Sequence, residues 1–450
     1  SSVLPNLIRE PADDRWSIFF YKTRDQLQYP LGLAGEDVNG RLSIFEKTKD
    51  QKMLDITKLS GQLPAISEHL QKEASASNER LQRAQQLLHQ SVNQQEDLVK
   101  YQQEWRDRAI FKAAKPLDPI DTCEEISVPP EAHTVFATDG SQIAPSHHEI
   151  AYCYLINIGR VMLHYGQSLF PVLDSLPEVF YTREDLYESR QWGIPTEEWM
   201  GYRRTVSEIE ALSDMACRWV NPPGAHNQPN LALVDGSLIY WFLETLPTPA
   251  REQLLPRIFE AWQHIASAKI PLMGYLSANR HTEAVRFLRY SACPYEKPDC
   301  QTNCGKLQNQ HLPCQVCEPL RDTTLWQTLL SPGERSGLWR SQSPILDLYP
   351  EELAIHFCYL HVGTEIARVE FPAWVAEDRA LLDQSLGILL AQVYKGYGYP
   401  VAIAESHNQA VVRSSDRAGF FALLEREMIK AGLPKVGVSY KESNKRGSIA

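Results

Sequence analysis

His133-Thr-Val-Phe-Ala-Thr138 runs into Asp139-Gly140-Ser141, and Leu231-Ala-Leu-Val234 runs into Asp235-Gly236-Ser237. Each apolar run reads as a buried β-strand whose last residue carries an aspartate past the sheet edge, with a glycine that lets the backbone turn. A single such tripeptide would be an ordinary turn, because Asp, Gly and Ser are the usual turn residues. Two of them at strand ends can set two carboxylates side by side, the arrangement that divalent-metal chemistry on phosphates requires.

Working outward, the surroundings predict a mixed α/β core. Residues 152–158 and 161–165 flank Gly159-Arg160, which reads as a hairpin turn between two strands. A helix over 203–220 closes at Asn221-Pro-Pro-Gly224 and leads to the second Asp-Gly-Ser strand. A helix over 256–268 and a strand over 272–277 follow as a βαβ crossover. Strand-like runs over 354–362 and 366–371, a helix over 378–394 and a last buried strand over 400–404 complete the core. That last strand ends in Glu405-Ser406-His407.

Upstream, residues 63–105 are rich in glutamine, with apolar residues near a seven-residue repeat that Ser77, Ser91 and Gln95 dilute. Two readings stand: one amphipathic helix packed on its own domain, or an antiparallel arm or dimer contact. Residues 116–130 carry four prolines and no period, and read as a linker. The organisation expected is an N-terminal helical, coiled-coil-like region over 1–115 and an α/β domain over 131–450. A cysteine-rich insertion over 291–344 interrupts that domain.

Composition narrows the function. A formal net charge of −11 argues against a protein that coats nucleic acid by bulk attraction, yet leaves room for a nuclease with a local basic groove. No apolar run approaches a membrane span, and the first residues carry no basic or apolar leader, so a cytoplasmic location is expected. No P-loop, Gly-x-Gly-x-x-Gly or Gly-x-Ser-x-Gly motif is present. Five of the nine cysteines lie between Cys293 and Cys317. Cys300, Cys304, Cys314 and Cys317 form two close pairs suited to a structural Zn²⁺. An iron–sulfur cluster, with Cys293 replacing one ligand, and two disulfides remain as alternatives.

Asp139 and Asp235 are the leading candidates for a catalytic metal site, as hard oxygen ligands for Mg²⁺ or Mn²⁺. A third carboxylate is expected from the helix before Asp235, which offers Glu208 and Glu210 on different sides. His407 is placed to bind metal or handle protons, with weaker claims from His147 and His148. Glu370 reads as the ion-pair partner of Arg368. Arg203, Arg204, Arg280, Arg286, Arg289 and the basic tail over 435–446 are candidate contacts to a nucleic-acid backbone.

Taken in order, these pieces resemble the NurA nuclease family. The resemblance rests on Thr138-Asp-Gly-Ser141, Glu210 in its helix, Leu233-Val-Asp-Gly-Ser-Leu238, Arg368-Val-Glu370-Phe-Pro372 and Gly398-Tyr-Pro-Val-Ala-Ile-Ala-Glu-Ser-His407. It covers roughly residues 134–417. It implies an RNase H-like core and Mn²⁺-dependent DNA cleavage, as a single-strand endonuclease and a 5′-to-3′ exonuclease in DNA end resection and double-strand break repair. It also implies a homodimer that docks on a hexameric HerA-type ATP-driven translocase. Asp139, Glu210 and Asp235 would be the acidic metal ligands, joined by His407, and Tyr399 would be the C-terminal tyrosine. The rival reading is a non-catalytic DNA-end or translocase-binding subunit, and phosphomonoester hydrolysis is a second enzymatic one.

Overall fold

The computed structural model describes residues 63–433 apart from 147–148, 222–225 and 306–310. The first residues, His147, His148 and the basic tail lie outside the described residues. The chain parts into two units, Ser1–Ser67 and Glu68–Ala450, and only the opening of one helix is described in the first.

Among the described residues eleven strands form one sheet: β1 (Lys115–Pro116), β2 (Cys123–Glu125), β3 (His133–Ile143), β4 (Tyr154–Tyr165), β5 (Val172–Phe180), β6 (Asn230–Asp235), β7 (Leu272–Leu276), β8 (Glu334–Ser336), β9 (Trp339–Arg340), β10 (Ile355–His361) and β11 (Ile366–Pro372). Their order is β1-β9-β10-β11-β7-β6-β3-β4-β5, with β2 and β8 on a side branch. The helices that matter are α1 (Leu63–Val92), α2 (Gln95–Glu104), α3 (Thr196–Val220), α4 (Thr248–Ser267), α5 (Glu283–Ser291), α6 (Arg379–Lys395) and α7 (Val401–Ala410).

The centre is an antiparallel meander, β3-β4-β5, to which β6 and β7 add in parallel on the other side of β3. Helix α3 carries the chain from β5 to β6, and α4 carries it from β6 to β7. This is the mixed α/β core that the sequence implied, with three antiparallel strands extended in parallel beyond β3. Both faces of the parallel strands are covered. Phe136 and Ala232 face α3 and α4, whereas Val135, Ala137, Leu231 and Leu233 face α6 and α7. Burial on both sides explains why these strands read as continuous apolar runs rather than alternating ones. Full burial of a side chain such as Phe136 contributes about 1.5–3 kcal/mol.

Several elements differ from expectation. Gly159-Arg160 is not a turn: β4 runs through it unbroken, with Gly159 paired to Asp139. The glycine is needed because α7 crosses there, and a Cβ would lie 2.3 Å from the Ser406 carbonyl oxygen. The first Asp-Gly-Ser does not end its strand, since β3 continues to Ile143 in register with β4. The expected last strand is helix α7. Its apolar run is too short to show a period, and only the buried set Ala402, Ile403, Ser406 and Ala410 reveals the helical spacing.

The expected linker supplies β1 and β2, and the end of the cysteine-rich stretch supplies β8 and β9. The glutamine-rich segment makes two helices. Ala84, Leu87, Leu88 and Leu98 of these pack against Phe287, Cys314 and Trp326. No helix among the described residues is long and apolar enough to cross a membrane.

Candidate metal and nuclease site

The parallel pairing of β3 and β6 ends at Thr138 and Val234. Asp139 and Asp235 are the next residue on each strand, so the register sets them side by side on chains about 4.8 Å apart. Beyond Asp235 the backbone leaves the sheet through Gly236, whose φ of +107° favours glycine. Ser237 then donates from its hydroxyl to Glu370 at 2.6 Å, and the Leu238 N–H donates to the same carboxylate at 2.9 Å. Arg368 Nε donates to the other Glu370 oxygen at 2.7 Å. Glu370 is thus the buried partner of Arg368 and a pin for the second Asp-Gly-Ser, and holds no place among the acids.

The third acid is Glu208. Helix α3 lies against β3, where the Thr138 hydroxyl donates to the Glu208 carbonyl at 2.8 Å. Gly140 makes the approach possible: a Cβ there would stand 2.4 Å from Glu208 Oε1 and 2.7 Å from Arg204 Cγ. Arg204 Nε sits 3.2 Å from Glu208 Oε1, one helical turn away. The recess pushes the Glu208 carboxyl up to about 7, first through lost solvation. Arg204 opposes the rise, the charges of Asp139 and Asp235 add to it, and the Gly140 N–H opposes it again.

Glu210, the acid chosen from the family pattern, points elsewhere. Two residues are about 200° of helix rotation, and Glu210 faces α4, where Arg257 donates two hydrogen bonds to it at 2.8 and 2.7 Å. The structure therefore replaces Glu210 with Glu208 beside the aspartates.

Tyr399 and His407 complete the cluster. After α6 the chain turns through Tyr397 (φ 56°) and Gly398 (φ 115°), which brings Tyr399 back over β7. Its ring meets Tyr275 edge-on at 5.5 Å, and its hydroxyl donates to Asp235 Oδ1 at 2.6 Å. Burial and that aspartate both push the phenol well above its ordinary value. The Asp235 carboxyl is raised as well, by lost solvation and then by Asp139, against the pull of Tyr399 and His407. His407, on α7, has Nδ1 2.8 Å from Asp139 Oδ2, with its ring 64% exposed to solvent. The end of α7 is tied down because Ser141 and Asn157 both donate to the Ala410 carbonyl.

The structure thus brings together Asp139, Asp235, Tyr399 and His407. Among the described residues, no three or more His, Cys, Asp or Glu side chains surround a single point as metal ligands. Here each acid takes a protein partner instead: Asp139 has His407, Asp235 has Tyr399, and Glu208 has Arg204. Of the cysteine tetrad, Cys300, Cys304 and Cys314 line one cavity with Cys293, and Cys314 also lines an adjoining one with Cys317 and Glu318. All nine thiols are free.

Three of the proposed backbone contacts are internal, since Arg203 pairs with Asp185 at 2.7 Å, Arg204 with Glu208 at 3.2 Å and Arg289 with Glu318 at 2.8 Å. Arg280 and Arg286, with Lys112 and Trp241, line a cleft of about 380 Å³. It is built partly by the chain segments that follow β6 and β7. The sequence reading missed Gly140 and Gly159 as contact glycines. The Arg204–Glu208 spacing of four was the available signal for the acid that lies beside the aspartates.

The NurA domain model matches residues 133–412. Among solved structures, the NurA nuclease from Sulfolobus solfataricus is 13% identical, with 84% of this chain and 98% of that chain covered at a TM-score of 0.44. LC9-RNase H1, a type 1 RNase H with the type 2 active-site motif, is 11% identical, with 35% of this chain and 69% of that chain covered at a TM-score of 0.18. No curated protein sequence matches. The domain match spans well over half of the chain, from β3 to the segment just past α7, and on that ground the protein belongs to the NurA domain family.

Proposed function

We propose that the protein is a divalent-metal-dependent DNA nuclease, with Asp139, Glu208 and Asp235 as its acidic ligands. The observation that carries this reading is the convergence of those three carboxylates where β3 and β6 part. The donor set fits a hard divalent ion. Lost solvation is the first cause of the raised Glu208 carboxyl, and the charges of Asp139 and Asp235 add to it a repulsion that a cation would relieve. One or two such ions, when bound, supply Lewis acidity to the phosphate and activate water.

The chain's own residues set up the rest. Tyr399 fixes the rotation of the Asp235 carboxylate by its short hydrogen bond. His407 orients Asp139 through Nδ1, which leaves Nε2 on an exposed ring to accept or deliver a proton at a phosphate oxygen. Arg204 balances Glu208 from below. Lys112, Arg280 and Arg286 offer positive charge to a backbone, and Trp241 offers a face on which a base can stack.

The family reading extends the proposal to Mn²⁺ as the working ion, and to single-strand endonuclease and 5′-to-3′ exonuclease activity in DNA end resection. It also extends to a homodimer that acts with a HerA-type translocase in the cytoplasm. The test is cleavage of end-labelled single- and double-stranded DNA with Mn²⁺, run beside a chromogenic phosphate monoester. Asp235→Ala should lose DNA cleavage, by on the order of 10²–10³-fold or more, with its melting temperature retained. Undiminished cleavage by that variant overturns the mechanism. A wild-type chain that binds DNA or a translocase without cutting is the non-catalytic subunit instead.

A further inference from the structure

We propose that the cleft beside Trp241 is a subsite for one unpaired nucleotide of a DNA strand. The base stacks on Trp241, and the phosphate lies between Arg280 and Arg286. The inference deepens the nuclease reading and rests on it for the identity of the strand as substrate. β6 and β7 are parallel neighbours, so the segments that follow Asp235 and Leu276 leave the same edge of the sheet. Trp241 and Arg280 lie on those segments, and the cleft of about 380 Å³ that they line is built at the edge that carries the acids.

Trp241 is both fixed and exposed. Its indole N–H donates to the Ser343 hydroxyl at 3.0 Å, and the His281 ring lies 5.5 Å away, tilted by 32°. Burial and then the Arg368 guanidinium hold His281 below its ordinary value, against the pull of Glu370 and Glu283, so this ring is neutral near pH 7. The indole nonetheless stays 38% exposed. A large ring anchored at its polar end and left bare to solvent is a ready stacking surface, and every base has a face to set on it.

The charges around it are left open in the same way. Arg203, Arg204 and Arg289 each pair with a carboxylate, whereas Arg280 and Arg286 have none among the described residues. Arg286 Nε is buried with no hydrogen-bond partner, a donor that calls for an acceptor the chain does not supply. Lys112 adds a third cation to the lining. The acid of the lining, Glu283, is turned inward, to Arg368 at 3.4 Å and to the Ser341 hydroxyl at 2.8 Å. The cleft is therefore cationic in a chain whose net charge is −11, and a phosphate of a nucleic-acid backbone is the anion it suits.

A duplex cannot use this subsite, because each of its bases is already covered on both faces by its neighbours, and the cleft has the volume of one small ligand. The cleft is also tied to the second Asp-Gly-Ser. Glu283 meets Arg368, Arg368 donates to Glu370 at 2.7 Å, and Glu370 accepts from Ser237 at 2.6 Å. A nucleotide seated there holds its strand one buried ion pair away from that turn.

The test is fluorescence anisotropy of the full chain in EDTA, with a labelled single strand and with a dumbbell duplex of the same sequence. The wild type should bind the strand more tightly than the dumbbell. Trp241→Ala should weaken strand binding about 5–100-fold, with dumbbell binding and melting temperature retained, and Trp241→Phe should keep most of the affinity. With abasic residues in the strand, the wild type and Trp241→Ala should bind alike, which separates lost stacking from lost structure. Arg280→Ala and Arg286→Ala should each reduce the salt slope of strand binding by about 0.7. A Trp241→Ala chain that binds the strand as the wild type does, or that loses strand and dumbbell equally, overturns the proposal, as does a wild type that binds neither. Because binding is read without metal, a chain that holds the strand but does not cut it with Mn²⁺ ends the nuclease reading and leaves the subsite standing.

Discussion

The two Asp-Gly-Ser motifs are identical in sequence and opposite in construction. At the first, β3 does not stop. Asp139, Gly140 and Ser141 all stay paired to β4, and the glycine is there to admit Glu208 and Arg204 from α3. At the second, β6 ends, Gly236 adopts a left-handed φ in open space, and Ser237 hangs the loop on the buried Glu370. Each aspartate also has its own guide, His407 for Asp139 and Tyr399 for Asp235. One tripeptide therefore serves once as a contact surface and once as a turn. Only the aspartate has the same place in both, one residue past the last β3–β6 pair.

That difference can be broken experimentally. Replacing either aspartate by alanine should cost the same, a cleavage loss of on the order of 10²–10³-fold, because the two carboxylates are equivalent in role. A large inequality between Asp139→Ala and Asp235→Ala would mean that one of them only caps its turn. Tyr399→Phe removes a single orienting hydrogen bond and should lower cleavage about 10–100-fold. Urea unfolding should not distinguish it from wild type by more than about 1.5 kcal/mol.

The glycines sharpen the contrast. Gly140→Ala drives a methyl into Glu208 and Arg204, and should cost about 1–3 kcal/mol of stability together with cleavage. Gly236→Ala meets nothing within 4 Å, so its cost is backbone strain, about 1–2 kcal/mol, with less effect on turnover. If Gly236→Ala proved the more damaging to cleavage, the close-approach role of Gly140 would be wrong. The smallest change is Glu210→Gln. Its pair with Arg257 is exposed, so stability should move by less than about 1 kcal/mol.

Much of this was legible in the chain. The apolar runs gave the parallel strands, and the helices expected over 203–220 and 256–268 are α3 and α4, each of which begins seven or eight residues earlier. What was not legible depends on contacts between elements distant in sequence. Gly159 reads as a turn until α7 is known to cross it. Residues 400–404 read as a strand because five apolar-looking residues have no period, and only packing of Ala402 and Ile403 under α6 makes them helix. Glu208 and Glu210 are equally acidic and equally helical, and the choice rests on which side α4 occupies. Arg257, forty-seven residues on, decides it. Among the cysteines, the spacing that paired Cys314 with Cys317 agrees with a cavity they share beside Leu87 of α1, whereas the place of Cys293 beside Cys300, Cys304 and Cys314 comes only from the fold.

The most direct measurement compares Mn²⁺-dependent cleavage of single-stranded DNA by Glu208→Gln and Glu210→Gln, at equal concentration and with both variants folded. The structure predicts that Glu208→Gln loses cleavage by about 10²-fold or more while Glu210→Gln cuts at the wild-type rate. The reverse pattern, or full activity in both, would contradict a nuclease site built from Asp139, Glu208 and Asp235.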